Sequence, residues 1–239
     1  MNVLTLKIVA CLAMLVDHIG FQYGIMLFRA IGRIAFPIFV YLICNGYRHT
    51  SNKVKYALRL AVFAVFSQVP FSLFCYGVLW QDHGNVMFTL LMALLCIWTT
   101  EELSALQKIR FIAFLPALVV CTLYHCGFMS SDYGVTGILM ALVFFYLDGK
   151  TLGRRLVVVL GMFAAVFYDY LLALFIGLVK LVLGRGFSVM NPSQWDLYQM
   201  FSLLALIFIF CYNGKKGKGF GKLLQYNFYL FYPLHQLIL

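Results

Sequence analysis

Acidic side chains are scarce in this chain. Its 239 residues hold eight Asp and Glu against eighteen Lys and Arg, and only 11% of them are charged. A soluble domain carries about 25% charge and about 45–50% apolar residues. Here 64% are hydrophobic and the mean hydropathy is +0.93. The shortage of charge excludes an ordinary soluble domain. Polar stretches run to about a dozen residues, which leaves no room for a separate soluble domain. The seven cysteines form no CxxC pair and read as small packing residues. The five histidines show no HxxxH or HExxH spacing, so no metal site is expected. Lys7 interrupts the first apolar run and no small-residue cleavage site follows, so no cleavable signal peptide is expected.

What is present is a succession of apolar runs. A membrane span takes about 20 residues. Runs near 5–24, 33–47, 57–76, 86–100, 109–125, 134–148, 152–169, 197–213 and 223–239 read as spans. A tenth, 171–183, is short and contains Lys180, and reads as a short span or a re-entrant helix. The expected fold is all-α: one polytopic membrane helix bundle of nine or ten transmembrane helices, with residues 1–239 a single domain. The net charge of +10 follows topology, not nucleic acid, because basic residues sit between apolar runs. The loop RHTSNKVKYALR (48–59) should face the cytoplasm, and the amino terminus with it. The lysines of NGKKGKGFGK (213–222) belong on that side too, which conflicts with a full span at 171–183.

Ionisable groups at bilayer depth usually mark function. The run LTLKIVACLAMLVDHIG carries Asp17 and His18 side by side. His18 lies eleven residues beyond Lys7. On a helix that is about 16 Å, halfway across a core of about 30 Å. Adjacent helical residues point about 100° apart, so one of the two can line a cavity while the other meets a second helix. Arg29 and Arg33 are the candidate partners of Asp17, leaving His18 to the cavity, or both residues brace the helix end. Arg48, His49, Lys53, Lys55 and Arg59 fall in twelve residues. They fit either lipid headgroups or a polyanion held at a helix start. Asp132 reads first as a helix cap, beside Tyr133. His235 follows Pro233 inside the last span, to bond a backbone carbonyl or to line the cavity.

Six stretches in order, MLVDHIG, RAIGRIAFPIF, NGYRHTSNKVKYALRL, SQVPFSLF, DYGVTGIL and FYPLHQLIL, cover nearly the whole chain. Together they resemble the TraX family, whose founding members are linked to acetylation of the pilin amino terminus in bacterial conjugation. That family is similar to the acyltransferase 3 superfamily of membrane enzymes, which use cytoplasmic acyl-CoA to acylate acceptors across the membrane. The superfamily places a basic residue, ten residues and then a histidine in its first span. Lys7 and His18 have that spacing, with Lys in place of the more usual Arg. The resemblance implies a bacterial inner-membrane protein with its amino terminus cytoplasmic.

The expected function is transfer of an acyl group, acetyl by resemblance, from acyl-CoA to an amine or hydroxyl of an extracytoplasmic peptide, glycan or lipid head group. Catalysis falls to His18 as general base, with Asp17 orienting or balancing charge. Acetyl-CoA, as co-substrate, falls to Lys7, Arg48, His49, Lys53, Lys55 and Arg59. The acceptor or oxyanion falls to Arg29, Arg33, His235 and Tyr133. The rival expectation is a proton-coupled transporter with Asp17 and His18 as relay.

Overall fold

The computed structural model describes residues 1–106, 112–147, 151–184, 198–217 and 221–239. The basic stretch 107–110, Arg185 and Lys218 fall outside the described residues. Among the described residues every regular element is helical: α1 (Val3–Tyr23), α2 (Met26–Gly32), α3 (Ala35–His49), α4 (Lys53–Tyr76), α5 (Val86–Ala105), α6 (Leu115–His125), α7 (Gly134–Tyr146), α8 (Leu152–Val166), α9 (Tyr168–Val182), a 3-10 turn (Met200–Leu204) running into α10 (Ala205–Phe210), and α11 (Lys222–Ile238).

Short polar residues set where helices begin. The Asn2 side chain accepts from Thr5 N, Asn52 from Lys55 N, Asn85 from Met87 N and Thr151 from Arg154 N, each satisfying an amide the first turn leaves free. Gly24 and Gly77 end α1 and α4 at φ +69° and +68°, which a side chain resists. Leu6 and Ala10 of α1, Ile38 of α3, Leu60 of α4, Leu94 and Ile97 of α5 and Ile138 and Met140 of α7 form one buried core. Side chains such as Phe66, Leu160 and Val182 stay exposed, the apolar outer surface of a lipid-facing bundle.

The span count differs from the sequence reading. Among the described residues four stretches are long and apolar enough to cross a membrane: Val3–Tyr23, Met26–His49, Lys53–Tyr76 and Val86–Ala105. There are five if α8 and α9, bent by 74° at Phe167, count as one. Leu115–His125, Gly134–Tyr146 and Met200–Phe210 are shorter apolar helices. The described helices therefore do not confirm nine or ten full spans. Apolarity continues through turns, so a hydropathy window overstates helix length, as at Ala113–Phe114 before α6. The second span also starts at Met26, not Arg33, because α2 runs on into α3 across a break at Arg33–Ile34.

The last third of the chain orients the bundle. Val3 N bonds Lys215 O at 2.9 Å and Asn213 N bonds Met1 O at 2.8 Å, so the lysines of this segment share an end with the start of α1. Tyr168 and Asp169 line a small cavity with Ser130, Ser131 and Tyr133 to Thr136, at the start of α7 and the opposite end. Between Asp169 and Cys211 the chain changes ends.

Candidate functional site

A cavity of about 800 Å³ runs through the bundle, within the usual range of ligand pockets. Lys7, His49, Thr50, Arg59 and Lys216 line one end, and Arg29, Arg33, His83, Asp132 and Tyr133 the other. His18 lies between them with Phe39, Phe74 and Tyr232.

His18 sits on α1 five residues before the helix ends at Tyr23, nearer that end than the start at Val3. Its Nδ1 lies 2.6 Å from Nε2 of His235, on α11. The two rings are nearly parallel, at 12°, with centroids 4.7 Å apart. Stacked faces approach no closer than about 3.5 Å. A 2.6 Å contact therefore sets the rings edge to edge in a common plane. Nδ1 of His235 lies 2.6 Å from the Phe231 carbonyl, one turn earlier on α11. That is not the carbonyl Pro233 frees, which belongs to Tyr229. His235 is packed between Phe231 and His18 and is not among the described residues lining the cavity. The sequence offered it to the acceptor; it stands behind His18 instead.

Asp17, turned away from His18 by the helix, meets both candidate arginines. Arg33 Nη2 donates to both carboxylate oxygens, at 2.6 and 2.7 Å, and Arg29 Nη1 to Oδ2 at 2.6 Å. Asp17 and Arg33 are buried. Gly32 makes this possible: a Cβ there would lie 2.1 Å from Asp17 Cβ. Two guanidiniums against one carboxylate leave this trio with one net positive charge. Tyr133 extends the wall. Its ring lies against Phe36 at 3.7 Å and beneath the Arg33 guanidinium at 5.7 Å, and its backbone holds φ +65°, which is strained for a side chain of this size.

Asp132 is not a cap: α7 begins after Tyr133 with no side-chain cap. Asp132 N bonds Gly84 O at 2.9 Å and its own carbonyl accepts from Thr89 Oγ1, which fixes the residue at the cavity wall. Burial pushes its carboxyl up from the ordinary value, against the pull of Arg33 and His83.

The basic residues divide. Arg48 donates to the Phe144 carbonyl at 3.1 Å and to that of Phe145, covering the end of α7. Lys53 pairs with Glu101 at 2.7 Å and Glu102 at 3.1 Å, and Lys55 is exposed. None of these three lines the cavity. His49 and Arg59 do, the Arg59 guanidinium held over Tyr56 and Tyr229 at 5.3 and 5.5 Å. Lys7 joins them, its ammonium 5.2 Å from the Phe228 ring centre. Lys216 is the residue the sequence reading missed as a site residue. Its run of lysines was visible, but served only to argue topology; the pairing of this segment with residues 1–4 brings it to the cavity.

Residues 3–239 match the family described as TraX protein. A relative from Dichelobacter nodosus, described as probable fimbrial assembly protein FimC, serogroup H1, is 29% identical over 245 residues, which is 96% of this chain and 91% of that protein. No solved structure matches.

Proposed function

The chain belongs to the TraX family of membrane proteins, and from that membership and the cavity we propose that it transfers an acyl group from acyl-CoA, acetyl-CoA by family likeness, to an acceptor on the opposite side of the membrane. The observation that carries the reading is one cavity, cationic at one end, with an imidazole midway along it. The CoA phosphates meet Lys7, Arg59, Lys216 and His49, and the thioester arm extends about 16 Å along α1 to His18. The acceptor enters from the end lined by Arg33, Asp132 and Tyr133.

His18 takes the proton from the acceptor nitrogen or oxygen as that atom bonds the thioester carbon. The carbon–sulfur bond breaks and the proton passes from His18 to the departing sulfur. Arg33, fixed by Asp17, offers a positive wall to the developing oxyanion. The helix bundle around the cavity keeps bulk water from the thioester. Clustering of Lys7, His49, Arg59, Lys215 and Lys216 at one end supports a cytoplasmic amino terminus in a bacterial inner membrane. The fimbrial description of the relative and the family's pilin link support a pilin amino terminus as acceptor.

The test uses protein in nanodiscs. Acetyl-CoA binding by calorimetry should weaken with salt, and by about tenfold or more in Lys7→Ala with Lys216→Ala. His18→Ala should keep that binding and lose transfer of labelled acetyl to envelope proteins. Absence of acetyl-CoA binding to the native protein overturns the reading and leaves transport, for which a cavity running through the bundle is also suited.

A further inference from the structure

We infer that His235 is a positioning residue that holds His18 as its Nδ1–H tautomer, leaving the lone pair on His18 Nε2. A backbone carbonyl sets the order of hydrogens. Phe231 O has only lone pairs to offer, so the His235 nitrogen 2.6 Å from it carries the hydrogen. That nitrogen is Nδ1. In a neutral imidazole the other nitrogen is then an acceptor, so His235 Nε2 presents a lone pair. It lies 2.6 Å from His18 Nδ1, which must donate. His18 Nε2 is left without a hydrogen. The common plane of the two rings aligns the donor with the lone pair.

The consequence for chemistry rests on the acyl-transfer reading; the tautomer does not. A base needs its lone pair in place before the acceptor arrives. Free histidine prefers the hydrogen on Nε2, which in His18 would block that nitrogen and set Nδ1 against His235. The carbonyl of Phe231 reverses the preference through His235. During transfer the acceptor proton arrives at Nε2 and leaves from Nε2 to the sulfur. The Nδ1 hydrogen stays between the two rings, and the transient positive charge on His18 faces the His235 lone pair. His235 gains and loses nothing over the cycle and touches no substrate.

The experiment is nitrogen NMR on protein labelled with nitrogen-15 histidine, at neutral pH in nanodiscs. The His18 signals are assigned by their loss in His18→Asn. The native protein should show His18 protonated at Nδ1 and bare at Nε2. His235→Gln keeps an acceptor oxygen for His18 and should keep that tautomer. His235→Leu removes the acceptor and should move His18 to the Nε2–H form. Transfer of labelled acetyl should fall about 100-fold in kcat in the Leu variant, with KM for acetyl-CoA unchanged, and recover most of the loss in the Gln variant. Native His18 found protonated at Nε2 overturns the inference, even if His235→Leu fails to fold. So does an unchanged tautomer in a folded His235→Leu. The Nδ1–H form in a native protein without acetyl transfer would uphold the positioning and overturn the acyl-transfer reading alone.

Discussion

At the scale of single residues, the fixed point is Asp17. A buried carboxylate gripped by two guanidiniums costs little while intact and much when broken, because removal of one partner leaves charge without compensation. Asp17→Asn should lower stability by about 3–5 kcal/mol, read as loss of helical signal at lower temperature in detergent. Gly32→Ala should do equal harm by steric means, since its Cβ would overlap Asp17. An unaltered melting temperature in both would dismiss the brace. The brace was legible in the sequence as an alternative: successive helical side chains diverge, so Asp17 and His18 had to serve different neighbours. That both arginines share one carboxylate was not, because it depends on α2 approaching α1 at Gly32.

At the scale of elements, the basic loop shows what spacing leaves open. Arg48 ends α3, while Lys53, Lys55 and Arg59 lie on α4, and the turn at Thr50–Asn52 rotates the second helix relative to the first. Close in sequence, these residues point to three environments: the end of α7, the carboxylates of α5, and the cavity. Arg48→Ala should therefore cost about 1 kcal/mol of stability through its lost bonds to α7 and leave acetyl-CoA affinity unchanged. Arg59→Ala should weaken that affinity about tenfold. Calorimetry on the pair separates them, and equal losses of affinity would refute the division. Lys216 was hidden for a different reason. Nothing local says that an irregular segment will pair with the start of α1; that is decided by how far α10 carries the chain.

At the scale of the whole molecule, apolar composition identifies a membrane bundle but not its number of crossings. Hydropathy adds apolar turns to apolar helices, and a bend of 74° leaves no mark in composition. The ends of the bundle can be tested directly. Single cysteines placed at Thr50 and Gly214 should react with a membrane-impermeant thiol reagent only in opened vesicles or from the cytoplasmic face, and one at Gly77 only from the other. Labelling of Thr50→Cys and Gly214→Cys from different faces would undo the shared end. The hydrogen bond between His18 and His235 joins positions 217 residues apart. It gives the molecule a timetable. The first helix enters the membrane early in synthesis, but the imidazole it carries acquires its neighbour only when the final helix arrives. A ribosome that stops before Lys222 releases a chain whose His18 lacks its ring partner and whose cavity lacks the wall of Phe228, Tyr229 and Tyr232, so the site is assembled only with completion.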